Sequence, residues 1–159
     1  MPKAVNPRSI TPPASRYAQG IVHSARARRL ITAGQVGATL DGRVVEGFAA
    51  QTEQAWDNIE AILAEAGMAI TDLIRITVFV TAPGMVSTWR TIRDRRLGGH
   101  LVAATYLEVA GLAAPDYLVE IEAEAVCEEP DLAFLEFEGA GDVSSAMTSG
   151  GAIAAPRER

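Results

Sequence analysis

The sequence predicts an α+β fold in which two helices cover one face of a mixed sheet, with the element order β-β-α-β-α-β-β. Two stretches, at about residues 48–66 and 84–97, have helical spacing of apolar residues, and each is followed by a strand-like run. Residues 101–126 alternate with period two on either side of a turn, as half-buried strands do. Because each helix connects two strands, the other sheet face is left uncovered in a single chain, and such a face usually has a partner.

The N-terminal third is predicted to hold an arm, a hairpin and a loop. Residues 1–15 contain four of the eight prolines and favour an extended arm. Two short apolar runs, residues 17–23 and 29–35, flank a polar turn and predict a β-hairpin. Gly34, near the end of the second run, indicates a bulge or a close backbone approach. Asp41 and Gly42 predict a turn in the loop that follows.

Both helices are predicted from apolar residues spaced three and four apart. The core positions of the first helix, which ends at Gly67, are Ala55, Ile59, Ile62, Leu63 and Ala66. Those of the second, which ends at Gly98 and Gly99, are Met85, Trp89, Ile92 and the stem of Arg96. Residues 73–81, between the helices, are β-branched and apolar, which predicts a buried strand.

Period-two alternation divides residues 101–126 between two faces. The face expected to pack on the helices comprises Ala103, Thr105, Leu107, Val109, Val119, Ile121, Ala123 and Ala125. The reverse face comprises Ala104, Tyr106, Glu108, Leu118, Glu120, Glu122 and Glu124. Four carboxylates and a tyrosine on one face predict a functional face, a subunit interface, or both.

Composition excludes several classes of protein. The net charge of −6 argues against nucleic-acid binding, which needs clustered Lys and Arg. A single cysteine, Cys127, excludes an internal disulfide framework and fits a reducing compartment. No apolar run approaches the roughly 20 residues of a membrane helix, and the N-terminus has no signal-peptide core, so a cytoplasmic location is expected. We expect one domain over residues 1–127 and a C-terminal tail over 128–159, docked in part near 132–137 and then mobile.

The first candidate for chemistry is Glu120, a carboxylate in mid-strand on a sheet whose far side is buried. Such a carboxylate can act as a general acid or base, or orient a water. The arginines that end the second helix, Arg90 among them, either complement the helix dipole or grip an anionic ligand. Nucleotide-binding and zinc patterns are absent, so neither a cofactor nor a metal is expected.

Six segments taken together resemble the RidA/YjgF family of reactive intermediate deaminases. They are Y-A-Q-G at 17–20, T-A-G-Q at 32–35, Q-x-x-x-x-W-D-N-I at 51–59, L-x-E-A-G at 63–67, R-I-T-V-F-V at 75–80 and Y-L-V-E-I-E-A-E-A-V at 117–126. The resemblance covers about residues 10–127 and depends on the order and spacing of the segments. It implies a chorismate-mutase-like fold, a homotrimer whose sheets form a central barrel, and ligand clefts between subunits.

The resemblance also implies site residues. Glu120 would position a water that hydrolyses an imine or enamine, while Tyr17 and the Ala33-Gly34 step would bind the ligand. The arginine that holds the substrate carboxylate in active members, within a P-A-R motif, is missing, since Val102-Ala103-Ala104 occupies that place. Tyr106 follows two residues on, where small residues are common. Arg90 lies where relatives often have an asparagine near the cleft, and is the hypothetical replacement for the cation.

The resemblance implies a hydrolytic deaminase of a small imine or enamine at an inter-subunit cleft, and the missing arginine predicts a substrate other than 2-iminopropanoate. One alternative is a non-catalytic small-molecule-binding or regulatory trimer that has lost the chemistry. Another is an interaction protein whose tail recruits a partner. Apart from a small-molecule ligand and further copies of the chain, no partner is expected, neither nucleic acid nor membrane.

Overall fold

The computed structural model describes residues 2–127, which form seven strands and two helices. The strands are β1 Lys3–Val5, β2 Gly20–Val22, β3 Arg28–Ile31, β4 Gln35–Val36, β5 Leu73–Val80, β6 Ala103–Glu108 and β7 Val119–Cys127. The helices are α1 Phe48–Glu65 and α2 Val86–Leu97, and a 3₁₀ turn, Ile70–Asp72, leads into β5. The tail predicted at 128–159, with its docking near 132–137, lies outside the described residues.

The main sheet is mixed, as the sequence predicts. Its strand order is β3-β7-β5-β6, and β4 pairs with β7 beyond the end of β3. The pair β5–β6 is parallel and every pair made by β7 is antiparallel. A parallel pair requires a crossover, and α2 supplies it between β5 and β6.

Both helices cover one face of this sheet, and the core lies between them and the strands. Trp56 of α1 and Trp89 of α2 stack with ring centroids 6.1 Å apart, and both side chains are fully buried. They pack in one cluster with Ile76, Val78 and Ile121, which point from β5 and β7 toward the helices. Within residues 2–127, neither helix is long and apolar enough to cross a membrane.

Local signals fix the ends of both helices. α1 stops before Gly67, which has φ 64°, and α2 stops at Gly98, which is left-handed with φ 55°. The predicted core face of α2 lacks a buried residue, Arg93. Arg93 is buried, with 3% of its surface exposed, whereas Arg96 lies at the rim of the helix pair and binds acidic residues of α1.

The predicted hairpin of residues 17–35 is wrong. β2 pairs with β1, so the N-terminal arm contributes a strand of its own, and β3 pairs with β7. The two apolar runs therefore find separate partners. The turn between them is polar but does not hold them together, because the long strand β7 offers β3 a register of four residues, from Arg28 to Ile31.

The predicted faces of residues 101–126 are right for β7 and wrong for β6. Val119, Ile121, Ala123 and Ala125 are buried as predicted. However, β5 lies between β6 and β7, and its register places Ala104 beside Ile76 and Tyr106 beside Val78, on the helix side. The uncovered face, called the open face below, therefore carries Glu120, Glu122 and Glu124 but neither Tyr106 nor Glu108.

Candidate functional site

A β-bulge separates β3 from β4 where both pair with β7. Ile31 pairs with Glu124, and four residues later Gln35 pairs with Ile121, so three residues face two. Thr32 anchors the near side, because its backbone N–H donates to Ala123 O and its hydroxyl accepts from Ala123 N, both at 2.9 Å. A bulge leaves backbone groups outside the ladder and re-aims nearby side chains. Here it frees the Ala33–Gly34 backbone, and the predicted bulge at Gly34 is confirmed.

Glu120 projects against this bulge. A Cβ added at Gly34 would lie 2.6 Å from Cδ and 2.8 Å from Cγ of Glu120, and would overlap its Oε1. A side chain at position 34 would have to displace the Glu120 carboxylate, so what approaches Gly34 is a side chain and not another stretch of backbone. The Glu120 carboxylate makes no hydrogen bond or ion pair with another of residues 2–127, which leaves its oxygens available to a ligand or a water.

Gln51 of α1 holds the chain where it leads into β7. Its side chain is 2% exposed, its Nε2 donates to Asp116 O at 2.8 Å, and its Oε1 accepts from Leu118 N at 2.8 Å. A buried amide that satisfies two backbone groups fixes their separation. Because Leu118 is two residues before Glu120, this clamp sets the position from which the carboxylate projects.

Asn58, two turns farther along α1, holds the other strand of the site. Its Nδ2 donates to Val36 O at 3.2 Å and to Ala38 O at 3.1 Å, while its Oδ1 accepts from Gln54 at 3.0 Å. Gly37, between the two carbonyls, packs so closely that an added Cβ would lie 2.6 Å from Cγ of Gln51. One helix thus positions both β7, which carries Glu120, and β4, which pairs with it.

Glu120 lies in an apolar row across the open face. Its register neighbours are Val36 on β4 and Phe79 on β5, and Phe79 in turn pairs with Leu107 on β6. Val36 and Phe79 are half-buried, and Leu107 is 43% exposed. These four residues, called the Glu120 row, place one carboxylate among hydrocarbon side chains.

The ion pairs of the open face lie farther along β7 than Glu120. Glu124 binds Arg29 at 2.6 Å and Arg75 at 3.1 Å, and the hydrogen bond from Arg29 lowers the pKa of the Glu124 carboxyl. Four residues of strand, about 13 Å, separate Glu124 from Glu120. Between them, a recess of about 60 Å³ is lined in part by Glu122 and Thr77, whose buried hydroxyl has no partner among the described residues.

The other predicted ligand-binding residues lie at the opposite edge of the sheet. Ala104 and Tyr106 belong to β6, two strands and about 10 Å from β7. Tyr17 lies just outside β6, because the next residue, Ala18, pairs with Ala103 and donates to Val102 O at 2.8 Å. Burial, and then the charge of Glu108, raise the pKa of Tyr106.

Arg90 lies in the helix layer. It is exposed on α2, and it makes no hydrogen bond or ion pair with another of the described residues. Glu120 projects from the open face, so the sheet separates the two side chains within one chain. One chain therefore brings together Ala33, Gly34 and Glu120, but not Tyr17, Arg90, Ala104 or Tyr106.

Sequence reasoning missed the residues that position the site. Gln51 and Asn58 contribute to the motif at residues 51–59, yet no role was predicted for them. The position of Gln51 does indicate a role, because it falls on the buried stripe of α1, four residues before Ala55. A polar residue in such a stripe needs hydrogen-bond partners. The Glu120 row could not be predicted from the sequence pattern, because its members are neighbours only through the order of the strands in the sheet.

Comparisons with known proteins agree with this fold. Residues 8–127 match the family described as Endoribonuclease L-PSP. The chain is 33% identical over 114 residues to the 2-iminobutanoate/2-iminopropanoate deaminase of Escherichia coli, which covers 69% of this chain and 86% of that protein. It is 38% identical over 53 residues to a RutC family protein of Aquifex aeolicus, covering 33% of this chain and 42% of that one.

A solved structure supports the same assignment. A Rid-family protein of unknown function from Yersinia pestis superposes with a TM-score of 0.73 at 27% identity, covering 79% of this chain and 98% of that one. The family match over residues 8–127 includes the bulge, both helices and β7, which are the elements that build the site around Glu120. The chain therefore belongs to the Endoribonuclease L-PSP family, the RidA/YjgF family that its motifs resemble.

Proposed function

We propose that this protein is a hydrolytic deaminase of a small imine or enamine, with Glu120 as its catalytic carboxylate. The observation that carries the proposal is the contact between the Glu120 side chain and the Gly34 backbone at the bulge. This contact places an unpaired carboxylate beside backbone groups that are not used in the sheet. The carboxylate can activate a water, and the backbone amides can stabilise charge that develops on the substrate. Similarity to the Escherichia coli deaminase supports the same reaction class.

In the proposed reaction, water adds to the carbon of a C=N bond. With the imine protonated, Glu120 orients the water and accepts one of its protons as the C–O bond forms and the C=N π pair moves to nitrogen, which gives a neutral carbinolamine. That proton then passes to the nitrogen. Glu120, a carboxylate again, accepts the hydroxyl proton as the C–N bond breaks, and the carbonyl compound and ammonia leave. Amides of the Ala33–Gly34 segment stabilise negative charge that develops on the oxygen.

A second copy of the chain completes the proposed site. The predicted residues divide between two edges of the sheet. Gly34 and Glu120 lie near β4. The residues at the β6 edge are Tyr17, Ala104 and Tyr106. If the β6 edge of one copy meets the β4 end of the next, both groups line one cleft. This division supports the homotrimer with inter-subunit clefts, and Arg90 would reach the ligand only from a neighbouring copy.

Ribonuclease activity, which the family description names, is not what these residues favour. RNA binding depends on clustered Lys and Arg. The open face presents three glutamates, and its two arginines, Arg29 and Arg75, are both bound by Glu124. The alternative we retain is a binding or regulatory trimer without chemistry.

The test is release of ammonia and carbonyl product from freshly generated imines by the full chain. Wild type is compared with Glu120→Gln, with Ala104→Arg and with Glu122→Gln, which removes an equal charge from the same strand and face. We expect Glu120→Gln to lower the rate by at least about 100-fold, the usual contribution of acid–base catalysis. Glu122→Gln should retain the wild-type rate.

Two results would contradict the proposal. If wild type is silent on every imine and Ala104→Arg does not revive it, the binding-protein alternative stands. If Glu120→Gln and Glu122→Gln keep equal activity, hydrolysis does not depend on Glu120. Activity that appears only in Ala104→Arg would instead place an intact water-activating site beside a ligand pocket for other substrates.

A further inference from the structure

We propose that the Glu120 site takes a cationic imine with an apolar body and no carboxylate, an inference that rests on the proposed deaminase function. Protonated imines derived from simple aldehydes and ketones form this class. Imines of 2-oxo acids, which carry a carboxylate beside the C=N bond, are excluded from it. Three features of the described residues, taken in turn below, support the assignment.

The first feature is the uncompensated charge of Glu120. Its carboxylate has no ion pair within residues 2–127. The arginines on the same face are both engaged by Glu124, about 13 Å along β7, which exceeds the screening length of about 8 Å at physiological salt. A substrate therefore meets the negative charge of Glu120 at the reacting position, and that of Glu122 about 7 Å along the same face of β7. Both charges attract an iminium and repel a carboxylate.

The second feature is the apolar character of the Glu120 row. Phe79 and Val36 border the carboxylate on either side, and Leu107 extends the apolar surface to the β6 edge with 43% of its area exposed. Covering this hydrocarbon surface with the apolar body of a ligand is favourable, because it removes apolar area from water. No side chain of this row can hydrogen-bond a ligand carboxylate.

The third feature is the side chain present at position 104. Ala104 faces the helix side next to Ile76, and it has no donor group with which to hold an anion. Tyr106, on the same side, has its hydroxyl buried without a partner among the described residues. Positions 104 and 106 of the β6 edge, which would close the cleft, thus supply no cation.

Three stable ligands with one ring and different charges test the proposal. Cyclohexylamine mimics the protonated imine of cyclohexanone, cyclohexanecarboxylate carries the opposite charge, and 1-aminocyclohexanecarboxylate carries both. Dissociation constants are measured on the full chain by ligand-observed NMR or calorimetry. We expect cyclohexylamine to bind at least tenfold more tightly than either carboxylate-bearing compound. Methylamine, which lacks the apolar body, should bind at least tenfold more weakly than cyclohexylamine.

Variants show which residue supplies the negative charge that binds the amine. Glu120→Gln should weaken cyclohexylamine at least tenfold, because it removes the negative charge and keeps the shape. Glu122→Gln, which removes a charge about 7 Å away on the same face, should weaken cyclohexylamine by no more than about threefold. Tighter binding of either carboxylate compound overturns the inference, and loss of that binding in Arg90→Ala would place the anion at Arg90. Absence of binding by all three rings overturns it as well.

Hydrolysis separates this inference from the proposed function. The imine of cyclohexanone and 2-iminopropanoate are presented in parallel, and ammonia release is followed in wild type and Glu120→Gln. If only 2-iminopropanoate is hydrolysed, and this requires Glu120, the deaminase proposal holds and the substrate class is wrong. If cyclohexylamine binds through Glu120 but neither imine is hydrolysed, the ligand class holds and the deaminase proposal fails.

Discussion

The carboxylate of Glu120 occupies the space where a side chain at Gly34 would be. A Cβ there would come within 2.6 Å of Cδ of Glu120 and would overlap Oε1. The bulge between β3 and β4 and the carboxylate of β7 are therefore one packed unit, because neither can change without moving the other. Substitutions at the two positions should be energetically coupled.

Gly34→Ala should destabilise the protein by about 0.5–1 kcal/mol, because the new Cβ meets atoms of the half-buried Glu120 side chain, which must rotate away. Unfolding in urea measures the loss. Gly111→Ala is the control, because a Cβ at Gly111 meets no atom within 4 Å. The double variant Gly34→Ala/Glu120→Ala should recover most of this loss relative to Glu120→Ala alone, since the group that clashes is gone. Strictly additive effects would show that the two residues do not compete for this space.

Gln51→Met should cost about 1–3 kcal/mol, because it leaves the Leu118 N–H and the Asp116 carbonyl without their buried partner. Amide exchange at Leu118 should accelerate as the clamp opens. Gln54→Met, on the same helix, removes a single hydrogen bond to Asn58 and should cost less. Equal losses in the two variants, with unchanged exchange at Leu118, would contradict the positioning role of Gln51.

The sequence predicts those elements whose signals are local. The spacing of Ala55, Ile59 and Leu63 defines α1, and all three are buried. The β-branched run defines β5, whose Ile76, Val78 and Val80 are fully buried. At Gly34 the glycine itself marks the bulge, because a strand residue without a side chain has few other reasons to be there.

Pairing between distant strands could not be predicted in the same way. The runs at residues 17–23 and 29–35 look like a hairpin, but β1 and β7 are better partners for them. Tyr106 has the period of a residue that shares a face with Glu120, yet β5 intervenes and turns it to the helix side. A face assignment within one strand is local, whereas the relation between two strands depends on what lies between them.

Arg96→Lys should be more damaging than Arg95→Lys, although the two residues are adjacent. Arg96 donates to Glu53 through Nε at 2.9 Å and through Nη2 at 2.7 Å, and it also reaches Asp57 and Glu60. Lysine cannot reproduce this bidentate geometry, so we expect a loss of about 1–2 kcal/mol. Arg95 is 64% exposed at its side chain and also contacts Glu53, where substitution should cost less than about 0.5 kcal/mol.

Thermal unfolding of both variants at low and high salt measures this difference. Screening weakens exposed ion pairs more than half-buried ones, so the gap between Arg96→Lys and Arg95→Lys should persist at high salt. Equal stability of the two variants would mean that the cluster of Glu53, Asp57 and Glu60 does not hold α1 against α2 through Arg96.

Glu124 should make stability depend on pH in the acid range. The hydrogen bond from Arg29 and the charges of Arg29 and Arg75 lower the pKa of this carboxyl below its ordinary 4.5, so the folded state favours the ionised form. A carboxyl whose pKa is lowered on folding stabilises the protein above the unfolded pKa, and this contribution is lost as pH falls through the folded value. Both arginines are about half exposed, which limits the contribution to about 1 kcal/mol.

Glu124→Gln should therefore be less stable than wild type at pH 7, and the difference should shrink steadily below pH 4.5. Urea unfolding across pH 3–7 measures it, with Glu122→Gln as the charge-matched control on the same strand. A difference that stays constant across this range would show that the two arginines do not act on Glu124 through its charge.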